Sequence, residues 1–403
     1  MNNSIFFLKR QSLYENLLIV SLFFAPYTLL RIGRIGVSEL SVIMFITLVF
    51  TREKLAGGFC CLGNFVFSKF WILYLLFSFI GFIFNFFFLG FPSGSIQGFL
   101  FDSASYLLIL ICCFALESII HSEFRRVDIW KILKTVYFSA SIALLLLLTF
   151  GRLTDSSWIM HYGFFRPFAM NIHHISMFMA PLPFLGLKIL SKSSKKTLKG
   201  ITLFLLLSNI LVGISTGSLK VIISFLFGSI VMFFALPFRS KLSKDTKYLM
   251  IAFFLLAFTC VAFIYGQTIV GKASSFFVEH DIQDARYYLY QSAIRKAATS
   301  PIFGLGPGPH AEIDGLDFSD AHQTFFSALL QSGVLGVFLY SFLSFVILKR
   351  CSKDVYLLGA YSSILMYSFG GDILRRLPMW LFMVMFYYLS DLKEVSKARR
   401  IGC

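Results

Sequence analysis

Long apolar runs, broken at intervals by short basic or polar stretches, fill most of the chain between residues 16 and 391. A hydrocarbon layer about 30 Å thick takes roughly 20 apolar residues per helix. Runs of that scale lie at 16–30, 37–50, 70–91, 98–118, 133–150, 168–188, 200–215, 218–237, 248–266, 323–348, 355–371 and 377–391. Phe and Leu alternate with small residues without the period of two that a strand needs, so helices are the way to satisfy the backbone in lipid. The pattern predicts an all-α polytopic membrane protein of about twelve spans, with 37–50 and 200–215 short enough to be kinked or partly re-entrant. The opening MNNSIFFLKRQSLYEN lacks the layout of a signal peptide, so the first span reads as a retained anchor.

Composition agrees with the pattern. Of 403 residues 57% are hydrophobic and 14% charged, where soluble domains run at about 25% charged. The formal net charge of +16 would mark nucleic-acid binding in a soluble protein, but basic residues also collect on the cytoplasmic side of a bilayer. With the N-terminus inside, 25 of the 36 basic residues fall in inner segments, from Lys9 and Arg10 to Arg399 and Arg400. Nine acids join them there, and the outer side balances 11 basic against 11 acidic residues, so the whole excess is topological. An even span count returns the C-terminus to the cytoplasm, and no nucleic-acid partner is expected. Cys60, Cys61, Cys351 and Cys403 fall on the inner side and Cys112, Cys113 and Cys260 within spans, which gives neither a disulfide framework nor a metal-ligand spacing. Residues 1–403 read as a single transmembrane domain without repeats.

One outer loop stands apart. Residues 267–322 separate the ninth and tenth spans, and a loop of that length in a compact domain is functional or disordered. It carries Phe276, Phe277, Tyr287, Tyr288 and Tyr290, enough apolar material to pack on the membrane domain. Asp284 to Thr299 reads as a helix with Tyr288, Ala293 and Ala297 on its buried side, ended by Ser300-Pro301. Gly304-Leu305-Gly306-Pro307-Gly308-Pro309-His310 follows, a preset turn. It is either a rigid joint or a nest of backbone amides near a phosphate; no strand precedes it, so it is not a dinucleotide fingerprint.

His322 sits where the loop re-enters the membrane, either as an interfacial anchor or as a general base oriented by Asp320. Arginine is the second signal. The inner side holds 17 Lys and eight Arg, while the outer side reverses the ratio with three Lys and eight Arg: Arg31, Arg34, Arg152, Arg166, Arg286, Arg295, Arg375 and Arg376. Guanidinium presents a planar fork to phosphate oxygens and stays charged in partly buried sites, so a diphosphate ligand would account for them. Salt bridges to loop acids are the plainer explanation for any single one, Asp372 being the candidate partner of Arg375 and Arg376.

Arg286, then Ser300-Pro301-Ile302-Phe303-Gly304-Leu305-Gly306, then Ala321-His322-Gln323, then Gln331-Ser332-Gly333-Val334-Leu335-Gly336 follow one another over about 55 residues. In that order, with a large outer loop between the ninth and tenth of twelve spans, the chain resembles the O-antigen ligase and polymerase family of bacterial envelope glycan assembly. The resemblance implies a GT-C-like fold in the bacterial inner membrane, multi-pass, with both termini cytoplasmic and the active site periplasmic on the 267–322 loop. It implies an inverting glycan transfer without metal or cofactor, from an undecaprenyl-diphosphate-linked donor to a lipid A-core or lipid-linked glycan acceptor among membrane lipids. Carried over residue by residue, Arg286 would hold the leaving diphosphate and His322 would take the proton of the attacking hydroxyl. The family has His-Asn where this chain has His322-Gln323. It has Ser-Arg after the seventh span, where Leu219 stands here with Lys220 one residue on, a rotation of about 100° on a helix. Arg166, His174, Arg375 and Arg376 are the further candidates for binding diphosphate or glycan.

A ligase and a polymerase differ only in acceptor. Some polymerases have two sizeable outer loops; a single large one here tilts the reading toward the ligase. A lipid-linked glycan flippase or other transporter is the alternative of a different class. Such proteins place ionisable groups near the bilayer midplane and show related halves. Here mid-span charges are nearly absent, with Asp102 near a span end, and no half-to-half repeat is visible.

Overall fold

The structure, a computed structural model, describes residues 2–33, 35–56, 65–89, 96–121, 127–236, 280–308, 310–313, 316–319 and 321–401, with Tyr248, Ala252 and Thr259 as isolated positions. Its helices are α1 (Asn2–Phe24), α2 (Val37–Ala56), α3 (Val66–Phe84), α4 (Ile96–His121), α5 (Ile129–Thr154), α6 (Ile172–Met179) and α7 (Leu182–Lys192). They continue as α8 (Lys196–Ser215), α9 (Leu219–Ala235), α10 (His280–Ala297), α11 (Thr324–Cys351), α12 (Val355–Gly370) and α13 (Leu377–Ile401). A π-helical turn, Asn85–Leu89, extends α3. Among the described residues six helical stretches are long and apolar enough to cross a membrane. Shorter apolar helices at Leu13–Phe24, Val37–Thr51, Leu219–Ala235, Val355–Gly370 and Leu377–Ser390 stand at the other described spans. The architecture is that of an all-α polytopic membrane protein. The expected span at 248–266 lies outside the described residues apart from Tyr248, Ala252 and Thr259.

The break in the helices falls elsewhere than the run lengths predicted. The runs at 37–50 and 200–215 sit in the uninterrupted helices α2 and α8. The run at 168–188 is divided at Ala180-Pro181 into α6 and α7. Proline has no amide hydrogen to donate and its ring crowds the carbonyl four residues back, so a helix cannot run through it unbroken. This broken pair is also the most buried of the crossings, with every residue from Leu182 to Leu190 inside. Phe204, Phe234, Phe338 and Phe345 are among the bulky side chains that face outward from the helices. Helices α9 and α12 approach closely, so that a Cβ on Gly228 would meet the Gly359 carbonyl oxygen at 2.7 Å. Small residues are what allow backbones so near in lipid.

Charges that lie inside are paired or capped. Glu117 of α4 accepts hydrogen bonds from the Phe67 and Ser68 amides at 3.0 and 2.9 Å and so caps α3, whose own preceding residue is Phe65. Lys188 of α7 reaches Asp354, ahead of α12, at 2.9 Å with both side chains buried. An ion in an apolar interior persists only with such partners.

Of the 267–322 loop, α10 begins earlier than expected and ends at Ala297 before Ser300-Pro301. Ala293 and Ala297 are buried as expected, but Tyr288 is exposed and Leu289 takes the inner position. Leu289, Ala293 and Ala297 follow in steps of four along one face, whereas Tyr288 lies five residues before Ala293, about 140° around the helix. Two short strands, β1 (Ala311–Ile313) and β2 (Leu316–Ser319), form an antiparallel hairpin in the stretch between turn and histidine.

The Gly-Pro turn does not lie on the surface. Helix α11 loses helical geometry at Gly333 (φ 64°, ψ −161°), and the turn docks into that kink. Leu305 N donates to Leu330 O at 2.7 Å, Gly306 N to Gln331 O at 3.1 Å and Val334 N to Pro301 O at 2.8 Å. Gly81 of α3 completes the slot, where a Cβ would meet the Phe303 carbonyl oxygen at 2.4 Å. The two glycine motifs of the sequence are thus two sides of one backbone seam. The amides of Gly304, Leu305 and Gly306 are all used on carbonyls, so the rigid-joint reading holds for them and the phosphate-nest reading does not.

Candidate active site

A cavity of about 320 Å³ opens where α6, α9, α10, α11 and the α12–α13 connection meet. His322, Lys220, His174, Arg375 and Arg376 all line it, so five of the seven side chains singled out in the sequence come together there. Each arrives for a local reason.

His322 precedes α11 with φ +53°, the left-handed region that few non-glycine residues occupy, and its side chain is exposed. The helix start behind it is fixed. Thr324 Oγ1 donates to Gly371 O at 2.8 Å and accepts from Ile373 N at 3.1 Å, and Ser327 Oγ donates to Asp372 Oδ2 at 3.0 Å. A residue held off its preferred backbone by surrounding structure is a mark of functional sites. Asp320, the expected orienting acid, lies outside the described residues; the acid that the structure does place in the cavity is Asp372.

Lys220 is the second residue of α9. Leu219, at the place where the family has arginine, points outward and is half exposed, while Lys220 faces the cavity. Its stem passes Gly370, where a Cβ would stand 3.2 Å from Lys220 Cγ. His174 lies in the first turn of α6, which Asn171 caps by accepting from His173 N at 3.0 Å. Arg375 and Arg376 sit just before α13. Arg375 does not pair with Asp372: its Nη1 donates to Asp102 of α4 at 2.8 Å. Asp372 takes Ser327 and the Leu374 amide instead.

Two candidates stand differently. Arg166 donates from Nη1 to the Met170 carbonyl oxygen at 3.1 Å and is not among the residues lining this cavity. Arg286 belongs to α10, with its side chain outside the described residues; it lies one turn before Tyr290, which lines the cavity. Asn171, His173, Tyr290, Tyr367 and Asp372 were not picked out as site residues. His173 adjoins His174 and Tyr290 is one helical turn from Arg286, so their neighbours were the signal. Nothing local distinguishes Tyr367.

Two more cavities, of about 100 and 400 Å³, share His174 and Arg376 with the first, so these two side chains stand at a junction. Among the described residues no group of three His, Cys, Asp or Glu is placed to hold a metal ion. Chemically, the arrangement sets an exposed imidazole beside three cationic side chains and one carboxylate. That combination can accept a proton and stabilise an anion in one space.

No curated protein matches the chain. A family model described as O-Antigen ligase matches residues 201–341. That stretch runs from α8 into α11 and contains Lys220, Arg286, the Gly-Pro turn, His322 and the Gly333 kink. The stretch that resembles this family model thus holds both glycine segments of the seam and contributes Lys220, Tyr290 and His322 to the cavity.

Proposed function

We propose that this protein is a membrane glycosyltransferase of the ligase type, moving a glycan from undecaprenyl diphosphate to a lipid A-core hydroxyl on the periplasmic face of the inner membrane. The observation that carries the reading is the meeting of His322 with Lys220, Arg375 and Arg376 around one cavity, one helical turn from Arg286. In this reaction the acceptor oxygen forms its bond to the anomeric carbon as the carbon–oxygen bond to diphosphate breaks. His322 takes the proton of the hydroxyl, and Arg286 with the cavity cations holds the charge that gathers on the leaving diphosphate. Attack opposite the leaving group inverts the anomeric centre. Diphosphate is a good leaving group, so a positioned base and charge stabilisation cover most of what the step requires. No metal enters the scheme, and chelator treatment is expected to leave the rate unchanged.

The test is replacement of His322 and of Arg286 by alanine in protein that still inserts normally. Each is expected to lower transfer by about 100-fold or more, and near-normal transfer by either variant removes that residue from the mechanism. Deletion of the gene followed by a lipopolysaccharide gel identifies the acceptor. Bare core with polymer left on the carrier means ligase, core capped by one repeat means polymerase, and unpolymerised repeats trapped inside the cell mean a flippase.

A further inference from the structure

Behind one arginine of the cavity lies a carboxylate with no exposed surface. Asp102, the seventh residue of α4, accepts from Arg375 Nη1 at 2.8 Å through Oδ1 and from Gln331 Nε2 at 3.1 Å through Oδ2. Gln331 is itself held from three sides. Its Oε1 accepts from Tyr106 Oη at 2.6 Å and Tyr74 Oη at 3.1 Å, and its Nε2 also reaches the Gly308 carbonyl oxygen at 3.4 Å. The Gln331 main-chain carbonyl accepts from the Gly306 amide, inside the seam between the Gly-Pro turn and the α11 kink. An unbroken line of hydrogen bonds thus runs from the seam through Gln331 and Asp102 to Arg375 on the cavity wall.

We infer that Asp102 is a positioning residue of this cavity: backed by Gln331, it fixes the Arg375 guanidinium as a directed donor to the phosphate group of an anionic lipid-linked substrate. The inference rests on the glycan-transfer reading for the identity of that substrate, not for the anion site itself. Two features separate positioning from simple attraction. A carboxylate paired with an arginine cancels much of its charge at a distance, so the pair attracts phosphate less strongly than the arginine alone. What it provides is orientation, because a guanidinium held on one edge presents its remaining donors in a fixed plane. Bulk electrostatics and positioning therefore predict opposite signs for one substitution. Asp102→Asn raises the positive charge of the cavity, which strengthens phosphate binding if charge alone matters and weakens it if placement matters.

The experiment uses the full chain in detergent, with inorganic pyrophosphate as the probe and the thermal unfolding midpoint as the readout. The wild type is expected to show saturable stabilisation. In Asp102→Asn the pyrophosphate concentration at half effect should rise about tenfold or more, and Asp102→Glu should recover part of the loss. Equal or tighter pyrophosphate binding by Asp102→Asn overturns the inference, and so does a wild type that does not respond. Should Asp102→Asn alone fail to fold, Arg375→Gln is compared with Asp102→Asn/Arg375→Gln, which removes both charges together. If Asp102 acts through Arg375 the second change adds nothing to the first, and a further additive loss overturns the role. In turnover, Asp102→Asn should raise KM for the lipid-linked donor and leave KM for the acceptor unchanged. Failure of the glycan-transfer reading shows separately, as wild-type protein that responds to pyrophosphate but transfers no glycan.

Discussion

His322 combines a chemical group with an unfavourable backbone, and substitution can separate the two. At φ +53° an ordinary side chain costs roughly 1–2 kcal/mol, whereas asparagine tolerates this region through local hydrogen bonding. His322→Asn is thus expected to keep the wild-type unfolding midpoint while losing transfer about 100-fold or more. His322→Val should lose both, because a β-branched residue resists that conformation. A midpoint that fell equally in the two variants would mean that the backbone around His322 is not what the Thr324 and Ser327 contacts hold. Lys220 allows a test of direction. Lys220→Leu is expected to weaken transfer, and adding Leu219→Arg to it should not restore activity, although the family's arginine then stands at its usual place. The reason is the rotation of about 100° between successive helical positions: here position 219 faces outward and position 220 the cavity. Recovery in the double variant would show that the start of α9 turns to bring residue 219 inward.

At the scale of the elements, the seam between the Gly-Pro turn and α11 backs the site, because the Gln331 main chain is held in it. A Cβ on Gly333 would lie 2.2 Å from the Ile302 carbonyl oxygen, at a φ of +64° that already favours glycine. Gly333→Ala should therefore open the seam, lower the unfolding midpoint and reduce transfer together. Gly200, in α8, has nothing within 4 Å of the same construction. There alanine should stabilise by about 0.5–1 kcal/mol, the usual difference in a helix interior, with transfer unchanged. Thermal unfolding of both variants in detergent checks the contrast. The seam also shows where reading the chain stops. Run lengths located the described spans, and the order of Arg286, glycine turn, His322 and glycine pair carried the family resemblance. Neither motif, however, announces that the two glycine segments bind each other, since backbone hydrogen bonds leave no side-chain pattern. Arg375 looked like the partner of Asp372 because only neighbours are visible in a sequence; its actual partner, Asp102, is 273 residues away. Placing Tyr288 with Ala293 takes a step of five for one of four. The break at Ala180-Pro181 was carried by a proline in plain view, and run length alone passed over it.

For the whole molecule, the question is which side of the membrane the cavity faces, and the broken stretch α6–α7 is where that can be tested. Its first turn carries His174 on the cavity, and its other end carries Lys188 paired with Asp354. The stretch Ile172–Lys192 has 21 residues, which at 1.5 Å per residue gives about 31 Å, the thickness of a hydrocarbon core. A helix divided at proline could instead turn back, leaving both ends on one side. Lysine distribution argues for a crossing: Lys188, Lys192, Lys195, Lys196 and Lys199 cluster at the far end, as the positive-inside rule requires of a cytoplasmic segment. The near end has Arg166 and no lysine between Asp155 and Asn171. Ser157 and Ser194 are both exposed, one on each side of this stretch. In a background with Cys60, Cys61, Cys260 and Cys403 changed to serine, the remaining cysteines Cys112, Cys113 and Cys351 are buried. Ser157→Cys should then react with a membrane-impermeant maleimide in intact cells, and Ser194→Cys only after the membrane is opened. Labelling of both in intact cells would make α6–α7 a re-entrant pair and change the parity of every later span. Labelling of Ser194→Cys alone would invert the protein and move the His322 cavity to the cytoplasmic face, out of reach of a periplasmic acceptor.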